Sequence, residues 1–127
     1  MKAAVAQAME EGALGLSTAL IYVPDRFAST EEVIALARVA ASYGGSYITH
    51  MRDEGDGIDV SLDEVFRIAR EAGLPAQIYH LKTSGKKNWG RMPSVLKRLE
   101  EARANGLDIS ADQYPWAASS NRLVDEL

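Results

Sequence analysis

The sequence predicts an α/β protein with a parallel sheet, and three observations support this. Glycines recur where helical patterns end and short apolar runs begin, which is typical of βα repeats. The repeat length is 32, 29 and 33 residues. Predicted strand-to-helix loops are long and polar, whereas helix-to-strand loops are short, as in parallel α/β proteins. Four such units form either a small doubly wound sheet or part of a (β/α)₈ barrel. The glycines are Gly12, Gly44, Gly73 and Gly106.

The first half of the chain contains two predicted helices and two predicted strands. The start of the second helix is well marked, because Ser29 followed by Glu32 fits a capping box. Its apolar positions give that helix one broad face for burial. The predicted elements are a helix over 2–11, a strand over 13–17 with an alternative end at 21, a helix over 30–43 and a strand over 46–50.

The second half repeats the same alternation. Ser61 with Glu64 predicts a second capping box, and Pro93 suits the first turn of a helix. Single helices between strands imply parallel pairing with right-handed crossovers. The predicted elements are a helix over 62–72, a strand over 76–80, a loop over 81–92, a helix over 93–105 and a strand over 107–111, with no element assigned to the tail from 113.

The amino-acid composition limits the classes of function that this chain can have. The 127 residues suit a single domain over 1–127, and 46% apolar with 25% charged residues is typical of a globular chain. The net charge of −4 makes the chain a poor nucleic-acid binder. The absence of cysteine excludes disulfides and thiolate metal sites within the chain. No apolar run is long enough to span a membrane, and no signal peptide is evident, so we expect a cytoplasmic protein.

The only two histidines of the chain end equivalent strands. His50 closes the strand over 46–50, and His80 closes the strand over 76–80. Because adjacent parallel strands lie about 4.8 Å apart, both imidazoles could reach one metal ion such as zinc. The structural alternative is that each histidine packs at its strand end. Two ligands are also fewer than the three that catalytic zinc sites usually take from a protein.

Other polar residues near the histidines have both functional and structural interpretations. Lys82 could hold a carboxylate or be solvated, and taken alone solvation is favoured. Asp112 could bind a metal, act as a base or cap Tyr114-Pro115, and capping is slightly favoured. Trp89 and Trp116 are more typical of packed loops than of substrate sites.

A run of charged residues follows His50. Such runs are usually solvated surface, although one member could orient His50 from outside the ligand set. The run consists of Arg52, Asp53, Glu54 and Asp56.

Six short motifs follow one another along nearly the whole chain. They are GALGLST at 12–18, LIYVP at 20–24, THMRDEGD at 49–56, HLK at 80–82, NWG at 88–90 and ADQYP at 111–115. In this order they resemble the D-aminoacylase family, the N-acyl-D-amino-acid deacylases of the amidohydrolase superfamily. The resemblance implies an internal segment, strands four to seven, of a metal-dependent (β/α)₈ barrel, and zinc-dependent hydrolysis of the amide bond of N-acyl-D-amino acids.

The resemblance also implies residue roles. His50 and His80 match the family's zinc-binding histidines, and Lys82 matches the lysine associated with the substrate carboxylate. Three further residues match substrate-binding positions: Tyr22, Tyr114 and Ser120, the last with neighbouring Ser119 as its rival.

The chain departs from the family pattern in three ways. The family's His-x-His pair has no counterpart, its cysteine ligand is absent, and its catalytic aspartate would lie beyond Leu127. We therefore assign no catalytic residue and expect the isolated chain to be inactive. Two alternatives stay open. One is a non-catalytic half-barrel that self-associates through open edges or pairs with a missing half. The other is a related amidohydrolase that acts on another carboxylate-bearing amide.

Overall fold

A four-stranded parallel sheet forms the centre of the computed structural model, which describes residues 1–118 and 120. The strands lie side by side in chain order, each parallel to the next. The predicted α/β class with four strand-helix repeats is therefore confirmed. The strands are β1 (Gly15–Ala19), β2 (Ser46–His50), β3 (Ala76–Ile78) and β4 (Ile109–Ala111).

A helix precedes each strand, and two short 3₁₀ turns lie in the loops that follow β1 and β3. In the part of the chain that the structure describes, no helix combines the length and apolar character needed to cross a membrane. The helices are α1 (Lys2–Glu10), α2 (Thr30–Ser42), α3 (Ile58–Ala72) and α4 (Met92–Ala104), and the 3₁₀ turns are Asp25–Phe27 and Lys86–Arg91.

The helix starts confirm one predicted cap and correct the other. The hydroxyl of Ser29 accepts a hydrogen bond from the amide of Glu32 at 3.1 Å, as predicted for α2. The predicted cap at Ser61 is wrong, because α3 begins at Ile58. Ser61 is buried inside the helix, and its hydroxyl accepts a hydrogen bond from the amide of Asp53 at 2.9 Å. It thereby ties the loop after β2 to the helix.

Three strands also differ from the prediction, and one of them, β4, begins at Ile109 instead of at residue 107. β1 covers residues 15–19 instead of 13–17, because the amide of Ala13 still bonds to Ala8 of the preceding helix. β3 ends at Ile78, two residues before the predicted end. There His80 adopts a left-handed backbone conformation with φ of 38°. Extended strand geometry cannot continue through such a residue.

The helices cover one face of the sheet. Alternate strand residues are buried in one apolar core with the helix residues, among them Tyr47, Ile78 and Ile109. The intervening residues form an open face that is partly or fully exposed and consists of Ser17, Ile48, Gln77 and Ser110. His50 lies on the side of the open face because it is two residues after Ile48. A sheet covered on one face fits part of a barrel whose interior is the other face.

Candidate metal centre

The carboxyl ends of β2 and β3 bring the two histidines together. His50 is the last residue of β2, and His80 follows the end of β3 by two residues. Their ring centroids are 4.4 Å apart and the rings are nearly perpendicular, at 75°. The two histidines were predicted to end equivalent strands, but they are not level with each other. Thr49 pairs with Ile78, which places Tyr79 level with His50 and His80 one residue farther along.

A buried carboxylate lies beside both imidazoles. Glu54, in the loop after β2, is only 4% exposed. Its Oε1 is 3.1 Å from Nδ1 of His80, and its Oε2 is 3.6 Å from Nε2 of His50. Sequence reasoning left Glu54 within a charged run, because no sequence signal separates it from Asp53 or Asp56. Burial singles it out, and burial is a property of the folded loop.

Lys82 is held within this group. Its Nζ lies 2.6 Å from Oε2 of Glu54, 2.8 Å from Nδ1 of His80 and 3.3 Å from the carbonyl oxygen of His80. An ammonium group only donates hydrogen bonds, so the contact with Lys82 is a hydrogen bond in the tautomer of His80 whose Nδ1 accepts. The interpretation of Lys82 as a solvated side chain is wrong, since it forms an ion pair with a buried carboxylate.

The residues present fit a metal ion. Nε2 of His50 and Oε1 of Glu54 are buried and have no hydrogen-bond partner among the residues that the structure describes, which is costly for polar atoms. The ligand atoms of His50, Glu54 and His80 all lie within 4.8 Å of one another. Two imidazoles with one carboxylate are the protein ligands of a known class of catalytic zinc site. A divalent cation would give these unpaired atoms a partner.

The environment keeps His50 neutral. Burial is the largest cause that lowers its pKa to about 4, and the nearby charges of His80 and Lys82 contribute to the same shift. The neutral imidazole is the form that binds metals. His50 is therefore in its metal-binding form at neutral pH without losing a proton.

Two predicted substrate residues flank the group, and a third does not belong to it. The ring of Tyr22 lies edge-on to His50, with centroids 5.2 Å apart. Nζ of Lys82 lies 5.7 Å from the ring centroid of Tyr114. Ser120 is exposed and is not part of this group, and its rival Ser119 lies outside the described residues.

Asp112 contacts β3 and the turn that follows it. Its Oδ1 accepts a hydrogen bond from the amide of His80 at 2.6 Å, and its Oδ2 accepts one from Nε2 of Gln77 at 2.7 Å. The slightly favoured interpretation, a cap on Tyr114-Pro115, is replaced by these contacts with β3 and its turn. Asp112 is also outside the group of possible metal ligands found among the described residues.

The remaining candidates are surface and loop residues. Trp89 and Trp116 are 66% and 73% exposed, so the expectation that they pack their loops down is wrong. Together with Lys82 and Tyr114 they line an open cleft of about 560 Å³ beside the histidines. Of the charged run, Arg52 binds Glu64 in α3 at 2.9 Å and has a structural role.

Two characterised proteins resemble nearly the whole chain. D-aminoacylase from Alcaligenes xylosoxydans xylosoxydans is 44% identical over 120 residues, which is 94% of this chain and 25% of that protein. N-acyl-D-glutamate deacylase from the same organism is 39% identical over 126 residues, or 99% of this chain and 26% of that protein. The chain thus spans about a quarter of the length of these relatives. No protein-family model matches it.

Solved structures give the same result for the fold. A crystal structure of D-aminoacylase, described as defining a novel subset of amidohydrolases, aligns with a TM-score of 0.90 at 45% identity. The alignment covers 93% of this chain and 25% of the D-aminoacylase chain. N-acyl-D-glutamate deacylase from Bordetella bronchiseptica, in complex with zinc and a phosphonate inhibitor, aligns with a TM-score of 0.87 at 36% identity, over 91% and 24% of the two chains.

Proposed function

We propose, on the premise that this chain corresponds to a segment of the D-aminoacylase family, that it supplies part of the metal centre of an amide hydrolase. The resemblance predicted from its motifs is confirmed by the similarity to these deacylases. The substrate of the whole enzyme would be an N-acyl-D-amino acid. The observation that carries the proposal is the convergence of His50, Glu54 and His80 with two buried atoms left unpaired.

His50, Glu54 and His80 would hold a zinc ion. Zinc, when bound, supplies polarisation of the scissile carbonyl and a water of lowered pKa. His50 offers a neutral imidazole because burial lowers its pKa. Glu54 adds a negative charge that offsets part of the charge of a divalent ion. Zinc as the resident metal is supported by the donor set and by the zinc complex of the related N-acyl-D-glutamate deacylase.

Lys82 would bind the carboxylate of the substrate. All three of its N–H donors already have partners, and the 3.3 Å contact with the carbonyl of His80 is the longest. A substrate carboxylate would replace that contact first, since the other two are shorter. Tyr22 and Tyr114 would line the site beside His50 and Lys82, and Ser120 would contact substrate from the tail.

The isolated chain is expected to be inactive. It has no counterpart of the catalytic aspartate, the His-x-His pair or the cysteine ligand that the family resemblance implies. The preferred N-acyl-D-amino acid stays open, because both D-aminoacylase and N-acyl-D-glutamate deacylase are similar to the chain. A cytoplasmic location, the absence of nucleic-acid partners and a single domain over 1–127 stay predictions.

Zinc titration by calorimetry tests the metal site. We expect one site with micromolar affinity in the wild-type chain, and loss of that site in His50→Ala and His80→Ala. Tyr43→Phe serves as the control, because Tyr43 directly follows α2 and its hydroxyl donates to Glu10 of α1 instead of to the metal group. Absence of specific binding by the wild-type chain, or equal binding by all variants, would contradict the proposal.

An activity assay tests the expected inactivity. N-acetyl-D-leucine and N-acetyl-D-glutamate are incubated with the zinc-loaded chain, and free D-amino acid is measured. We expect no release above that of the His50→Ala variant. Turnover that requires both zinc and His50 would show that the chain is a complete enzyme.

A second candidate function is that of a half-barrel that associates with itself or with a missing half. The open face of the sheet favours it, because parallel sheets are normally covered on both faces. The oligomeric state of the purified chain distinguishes this candidate from a self-sufficient monomer.

A further inference from the structure

Strand alternation alone would keep the two histidines apart. The ladder between β2 and β3 pairs Thr49 with Ile78, and the amide of Tyr79 continues it by donating to the carbonyl of Thr49 at 3.0 Å. Tyr79 is therefore level with His50. Because side chains alternate along a strand, a regular strand would direct the next residue, His80, to the opposite face from His50.

The left-handed backbone conformation of His80 allows its ring to approach that of His50 nevertheless. His80 has a φ of 38°, and it is the only residue other than glycine with a positive φ in the described part of the chain. Side chains of L-residues disfavour this region, so the conformation has to be held by its surroundings. It places the imidazole of His80 4.4 Å from that of His50, between ring centroids.

Asp112, the residue that follows β4, forms hydrogen bonds with residues before and after this turn. Its carboxylate accepts hydrogen bonds from the amide of His80 at 2.6 Å and from the side chain of Gln77 at 2.7 Å. Its own amide donates to Ile78 at 3.1 Å, and its carbonyl accepts from Leu81 at 2.9 Å. The four hydrogen bonds hold the segment from Gln77 to Leu81 on both sides of His80.

We propose that Asp112 is a positioning residue that holds His80 in its left-handed conformation and so brings the two imidazoles together. The proposal rests on the proposed function for its metal-binding consequence, but the positioning itself does not. The side chain of Asp112 contacts His80 through the backbone amide of His80. The side-chain oxygen that accepts from the amide of His80 is the essential atom, since the backbone bonds of Asp112 survive substitution.

Nuclear magnetic resonance of the metal-free chain with labelled histidine tests the positioning directly. The two histidines give two sets of ring signals, which His50→Ala assigns. We expect a ring-to-ring Overhauser contact in the wild type and in Asp112→Asn, which keeps the accepting oxygen. We expect its loss in Asp112→Ala. Asp108→Ala is the matched control, because Asp108 is an exposed aspartate just before β4.

Zinc affinity gives the second readout. We expect it to fall about tenfold in Asp112→Ala and to stay within about threefold in Asp112→Asn, as for residues that orient metal ligands. An unchanged Overhauser contact in Asp112→Ala, or its loss in both variants, would overturn the inference. Should Asp112→Ala not fold by circular dichroism, Asp112→Ser replaces it with a shorter side chain. A wild-type chain with the ring contact but no zinc binding would contradict the proposed function and leave the positioning supported.

Discussion

Lys82 and a bound metal ion would compete for the same atoms. The ammonium lies 2.6 Å from Glu54 and 2.8 Å from Nδ1 of His80, where it offsets the charge of a buried carboxylate. A divalent ion bound to these residues would be repelled by the ammonium. The two cations therefore cannot both keep their closest contacts. We therefore expect Lys82 to influence metal affinity, in addition to its proposed role in substrate binding.

We expect Lys82→Met to tighten zinc binding about tenfold, because it removes a repelling charge at contact distance and leaves the ligand atoms in place. Calorimetric titration of the purified chain measures the effect. Lys87→Met is the control, since Lys87 loses the same charge but pairs with Asp56 on the surface. An unchanged or weaker affinity in Lys82→Met would mean that the lysine supports the bound metal ion instead of competing with it.

Residue identity alone indicated two of the three possible metal ligands. His50 and His80 were recognisable because the chain has no other histidine and both lie near strand ends. Glu54 was not recognisable, because its importance depends on burial. The height of His80 was also mispredicted, because it depends on the register between β2 and β3, in which Thr49 pairs with Ile78, and the sequence does not show this register.

At the scale of elements, the left-handed glycine that ends α3 makes a contribution to stability that can be measured on its own. Gly73 follows α3 with a φ of 70°, and its amide donates to Ala69. A Cβ at this position would meet no atom within 4 Å, so the cost of adding one is conformational alone.

We expect Gly73→Ala to lower the free energy of unfolding by about 1 kcal/mol, measured by urea denaturation. Gly90→Ala tests the same added methyl without the left-handed backbone, since Gly90 has open space and no positive φ. Its free energy of unfolding should change much less. Equal losses in the two variants would show that backbone conformation is not the cause.

Element starts were predictable where a local hydrogen bond decides them. Ser29 caps α2 as its sequence pattern indicates. The same pattern failed at Ser61, because α3 gains a further turn from Ile58 and Ser61 bonds to Asp53 across the loop. A tertiary contact thus replaced the local one. The prediction of four alternating strands and helices was not affected by this error, because that prediction depends on the recurring glycines and apolar runs.

At the scale of the whole molecule, the asymmetry of the sheet is the main feature. The core lies between the sheet and its helices, while the open face of Ser17, Ile48, Gln77 and Ser110 stays accessible. The parallel order follows from the sequence, because every crossover contains a helix. Which face stays open does not follow, since the apolar Ile48 shares that face with three polar residues.

The open face and the outer strands favour association of the purified chain. Within the described residues β1 and β4 each have one unpaired edge, and exposed edges promote pairing with other chains.

We expect sedimentation velocity to give a mass above the 13.8 kDa of one chain, rising with concentration. Ser17→Lys places a charge on the open face at an edge strand and should shift the chain towards the monomer. Ser42→Lys adds the same charge at the end of α2 and should not. A wild-type chain that is monomeric at every concentration would contradict the half-barrel candidate, because an uncovered parallel sheet would then be stable in water without a partner.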